Sequence, residues 1–173
     1  MALVMAPGAC RDGGSRAESP APGPSRAERQ APGPSRAEGQ APGSGNPACA
    51  LLTDDDLSAA VGAPVSSTTP ADRGVGGLPG TACTYIFEGP TNQAVLVSRS
   101  DSPDASRVLD QVRSQAGEGA RPVPGIDDAV VVSPEAYLRR GSVLVSVTLS
   151  LDQDGPRTAE TASRLVEAVA RRL

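Results

Sequence analysis

The amino-acid sequence predicts an α+β fold for residues 46–173: an antiparallel or mixed sheet of about five strands with three helices packed on it. Three observations carry this. The elements run helix, two strands, helix, three strands, helix, an order that suits an antiparallel sheet with helices laid on it. The last strand alternates. Val143, Val145, Val147, Leu149 and Leu151 share one face and Ser146, Thr148 and Ser150 the other, so one face should be buried and the other largely wet. The closing segment has helical periodicity, with Ala162, Leu165, Val166, Val169 and Leu173 as an apolar stripe and Arg164, Glu167, Arg171 and Arg172 toward water.

The first helix begins after Thr53, a good N-cap, and Asp54, Asp55 and Asp56 place negative charge where the helix dipole favours it. Leu52 and Leu57 have the spacing of a hydrophobic staple, and Gly62 followed by Pro64 stops the helix. Residues 65–81 are rich in Gly, Pro, Ser and Thr and read as a loop. Strands follow at 82–87 and 94–100 around a turn at Gly89–Asn92. Ser102 reads as the cap of a second helix with Pro103 at its first position, carrying the stripe Val108, Leu109 and Val112 and ending at Gly117. A short strand at 129–132 and a hairpin of 137–140 and 142–151 turning at Gly141 complete the sheet, and Pro156 opens the last helix.

Composition bounds the function. The 173 residues contain no His and no Trp, one Phe and two Tyr, and all 16 basic residues are Arg. Without His, the commonest general base, the commonest transition-metal ligand and the Ser-His and Cys-His nucleophile pairs are missing. Five Arg and four acids precede residue 46, leaving 11 Arg and 16 acids in the domain, a balance of −5. An acidic domain with few aromatic side chains argues against nucleic acid as a partner, and against electrostatic docking on anionic lipid. No stretch is long and apolar enough to cross a bilayer as a helix.

Residues 1–10 read as a truncated export signal, with small residues ahead of Cys10 as at the lipidation site of a bacterial lipoprotein, although they lack the basic start of a full signal. Residues 11–45 repeat every ten residues, Ser-Arg-Ala-Glu recurring at Ser15, Ser25 and Ser35. This composition cannot bury a core and predicts a disordered tether, about 30 Å long as a flexible coil and about 110 Å fully extended in polyproline form.

Cys49 and Cys83 are the strongest candidate site. In an exported domain two cysteines most often pair. A reactive thiol or metal ligand, or two inert thiols, are the alternatives, and no His stands by as base or co-ligand. Asp54–Asp56 could suggest calcium, but the helix start already accounts for them. Asp127 and Asp128 could act as paired carboxylates, against a plainer reading as turn residues after Pro124-Gly125. Gly74–Gly80 is glycine-rich but precedes a strand rather than a helix, so it reads as a mobile loop and not a phosphate cradle. The residues point to no cofactor and no metal.

Four patches resemble the actinobacterial lipoprotein family called domain of unknown function 3558: Cys49-Ala50-Leu51-Leu52-Thr53 leading into a short helix, Cys83-Thr84-Tyr85 opening a strand, Val123-Pro124-Gly125-Ile126-Asp127-Asp128-Ala129, and the closing Ala/Leu/Arg helix. The family pattern has a second Gly where Asp127 stands. The resemblance implies an extracytoplasmic domain anchored by lipid to the outer face of the cell membrane, on a disordered tether, with Cys49 and Cys83 paired. It implies no reaction. The expected function is a non-enzymatic envelope binding or accessory module for a protein, a peptide or a small ligand. The alternative is an envelope hydrolase using carboxylates alone, which would need two acids about 5–9.5 Å apart across a cleft.

Overall fold

A computed structural model describes residues 45–173. They form one seven-stranded, wholly antiparallel sheet and three α-helices. The strands are β1 (Val65–Ala71), β2 (Gly80–Phe87), β3 (Ala94–Asp101), β4 (Arg121–Val123), β5 (Ile126–Val132), β6 (Glu135–Arg140) and β7 (Val143–Ser150). The helices are α1 (Asp54–Val61), α2 (Ala105–Ala116) and α3 (Gly155–Ala170). The order across the sheet is β1-β2-β3-β7-β6-β5-β4, so β7 crosses back to pair with β3 and joins two meanders.

The sheet has seven strands, not about five. The two that escape sequence reading are its edges. β1 lies within the segment expected to be a loop; all but its first residue are exposed, so it has no apolar alternation to betray it. It carries Pro70, which an edge strand tolerates when the missing N–H would face outward. β4 has three residues, one of them Pro122.

α1 and α3 cover one face. Cys83, Tyr85 and Phe87 of β2, Val95 and Val97 of β3, and Val145, Val147 and Leu149 of β7 meet Leu57, Ala162, Leu165, Val166 and Val169 there in one continuous core. The other face was expected to be largely wet, and this is corrected. α2 packs part of it, with Ala105, Val108 and Leu109 against Val130 and Leu144. The glycine-rich segment 74–80 is packed too. Val75 is 2% exposed, its N–H donates to Ser100 Oγ at 2.8 Å, and a Cβ on Gly74 would fall 2.1 Å from the Leu78 carbonyl oxygen.

α1 starts as its sequence predicts, and more tightly. Asp56 N–H donates to Thr53 Oγ1 at 3.2 Å, and Thr53 N–H donates back to the Asp56 carboxylate at 3.0 Å, a reciprocal capping box. Gly62, at φ 85°, ends the helix. α2 departs from expectation. Its cap position is Asp104, and Ser102 instead accepts from Asp104 N–H in the turn before it. Asp154 Oδ1 caps α3 by accepting from Arg157 N–H, with Pro156 in the first turn.

Candidate functional site

Cys49 and Cys83 are joined in a disulfide, with Cα atoms 5.0 Å apart. The bond ties the segment ahead of α1 to the middle of β2. Four hydrogen bonds also fix that segment. Asn46 Oδ1 accepts from the N–H groups of Ala48 at 2.9 Å and Cys49 at 3.3 Å, and its amide donates to the Ala82 carbonyl at 3.2 Å. The Tyr85 hydroxyl donates to the Cys49 carbonyl at 3.1 Å. Burial, and then the charge of Asp54, push the Tyr85 phenol up to about 12, so it stays a neutral donor.

Between this clamped segment and the β1–β2 edge lies a cavity of about 580 Å³, within the range of small-molecule sites. Cys49, Ala50, Leu52 and Tyr85 give it mostly apolar walls, and Thr68 of β1 and Asp54 of α1 stand at its polar margin. Such a lining can hold an apolar group and orient it by a few hydrogen bonds; it holds no nucleophile–base pair.

The remaining sequence candidates lie elsewhere. Asp127 and Asp128 are strand residues of β5, not turn residues, and line neither this cavity nor its smaller neighbour. The Asp128 carboxylate pairs with Arg139 and, at 4.0 Å, with Arg113, whose guanidinium also donates to the Asp127 carbonyl. Both oxygens of the Asp128 carboxylate are thus taken up in ion pairs with neighbouring guanidiniums. Asp56 is likewise structural. Burial would raise its carboxyl, but hydrogen bonds from Thr53 and the charge and hydrogen bond of Arg172 outweigh that and hold it below the usual 3.8. Among the described residues, no three His, Cys, Asp or Glu side chains gather as a metal site. Cys10 and the repeat at 11–44 lie outside the described residues.

The cavity itself was not foreseen. Its walls come from residues 45–54, 68 and 85, which no local motif links, and one of them sits on the strand read as a loop. The one usable signal was Tyr85, one of two tyrosines in an aliphatic chain, two residues after a core cysteine on the same strand face. No protein-family model matches the chain, and no curated protein matches it.

Proposed function

We propose that the chain is an exported cell-envelope module, anchored by lipid at Cys10, whose domain binds an apolar group in the cavity between residues 45–54 and the β1–β2 edge. The resemblance to the lipoprotein family domain of unknown function 3558 supports the compartment. The observation that carries the binding role is the cavity: about 580 Å³, mostly apolar, and braced by a disulfide and four hydrogen bonds of the Asn46 and Tyr85 side chains. A wall fixed in this way is pre-organised, so little ordering is left to offset binding.

The test is the fluorescence of N-phenyl-1-naphthylamine titrated with the full chain. Enhancement that saturates at one probe per chain, and is lost in Thr68→Trp, is the expected result. Thr68 is exposed at the cavity margin and tolerates a large side chain on a strand. Equal enhancement in Thr68→Trp would place the probe elsewhere and remove the support.

A further inference from the structure

Beside the apolar cavity lies a second one of about 330 Å³, and it is lined by three arginines: Arg99 of β3, Arg140 at the end of β6, and Arg172 just beyond α3. The domain around them is acidic, at 11 Arg to 16 acids. Arg99 occupies a position where the pattern calls for a core residue. It follows Val95 and Val97 on the same face of a central strand and stands between Thr81 of β2 and Val145 of β7. Its Nε is buried with no hydrogen-bond partner. Buried donors are almost always satisfied, and a charged one left open calls for an explanation. Arg140 belongs to the same face, next in the ladder to Val143.

Neither Arg99 nor Arg140 has an ion pair among the described residues. Arg172 is already engaged: it donates to the Asp56 carboxylate at 2.6 Å and to the carbonyls of Leu51 and Ala168. Asp101, two residues along from Arg99, accepts from Ser142 Oγ at 2.6 Å and pairs with neither open arginine. Two unengaged guanidiniums and one anchored one thus face a cavity that Leu173 also lines, yet no carboxylate, the terminal one included, lies within 4.0 Å of Arg99 or Arg140. Guanidinium forks match carboxylate and phosphate oxygens in pairs.

Pro47 and Ala50 line both cavities, and both are exposed. With two residues common to both walls, one molecule can reach from one cavity into the other. Asp54, on the margin of the apolar cavity, sets a like charge against an anionic head placed there. From this arrangement we infer that the domain binds an anionic amphiphile, its carboxylate or phosphate head held by Arg99 and Arg140 and its hydrocarbon part in the apolar cavity. This rests on the binding role proposed above and names the ligand class.

The experiment is calorimetric titration of the full chain with dodecanoate, dodecyl phosphate, dodecanol and inorganic phosphate, each below its micelle-forming concentration. At least one dodecyl anion should bind about tenfold or more tighter than dodecanol, and the difference should shrink at high salt. Comparing the two anions shows which head the site prefers. Arg140→Gln, and Arg99→Met combined with it, should remove the anion preference stepwise and leave dodecanol affinity within about twofold. Arg140→Gln alters an exposed residue, so it keeps the test open if the double variant is unstable. Equal binding of anions and dodecanol, or a preference unchanged in Arg140→Gln and in the double variant, would overturn the head-group site and leave the apolar cavity standing. Inorganic phosphate binding as tightly as dodecyl phosphate would overturn the amphiphile. No binding by any dodecyl probe would instead remove the cavity reading on which both rest.

Discussion

The two faces of the sheet are built to different depths. One carries a broad core drawn from α1, α3 and six strands, closed at its β2 side by the Cys49–Cys83 bond. The other carries a small cluster under α2, and beside it lie the buried hydroxyls of Ser98, Ser100 and Ser146 where the first face has valines. The difference teaches where this protein places stability and where it places openness. Both cavities lie on the deep face, at its margin, so their walls are supported by the most heavily packed part of the molecule.

The largest expected effect is on the deep face. Cys83→Ser should release the 34-residue closure and cost about 4 kcal/mol by the chain-entropy estimate, less any residual order in the unfolded chain. Urea unfolding with and without reductant checks it. Reductant should lower the wild type toward the variant and leave the variant unchanged, because its Cys49–Cys83 bond is already absent.

Next comes a matched pair across the faces. Leu165→Ala, at 0% exposure in the deep core, should cost about 3 kcal/mol or more. Leu109→Ala, at 1% exposure under α2, should cost less, about 2 kcal/mol, because a small cluster beside solvent can close over the gap. Equal losses in thermal unfolding would show that the second face is as tightly built as the first. Ser100→Ala tests the polar side of the thin face. It strips the acceptor from the buried Val75 N–H and should cost about 1–2 kcal/mol, with faster hydrogen exchange confined to residues 74–80.

The smallest effect is electrostatic. Asp56 is ionised more readily in the folded chain than its ordinary 3.8, so its capping and its bond to Arg172 contribute fully above that value. The contribution is lost as pH falls below 3.8 through the lowered folded value. Asp56→Asn should therefore be less stable than wild type at neutral pH, by about 1 kcal/mol, and the gap should close in strong acid. A gap that persists at pH 2 would assign the loss to packing instead.

Legibility followed the same division. The deep face could be read because its elements announce themselves locally: the Thr53 cap, the alternation of β7 and the stripe of α3 all come from residues within one element. The thin face was misjudged as wet because α2 meets it through Leu144 and Val130, single apolar positions in otherwise serine-bearing or mixed rows. β1 was missed because an edge strand exposed on both sides has no pattern to show. Of the site, the disulfide was legible from the cysteine count together with the expectation of export. The cavities were not, since their walls come from segments far apart in the chain, brought together by the sheet, the disulfide and the end of α3. Arg99 was the overlooked signal: a charge that interrupts the row Val95, Val97 at a core-facing step.

The placement of the two tyrosines makes each face separately visible. The chain has no Trp, so near-ultraviolet absorption comes mainly from Tyr85 and Tyr137. Tyr85 sits on the deep face at the wall of the apolar cavity, and Tyr137 packs beside the α2 cluster and donates to Glu135. Both phenols are raised, Tyr85 by burial and Asp54, Tyr137 by burial and its bond to Glu135. Alkaline difference spectra of Tyr85→Phe and Tyr137→Phe thus give one chromophore per face. A ligand entering the apolar cavity should perturb the spectrum of the chain that keeps Tyr85 and leave the chain that keeps Tyr137 alone nearly silent.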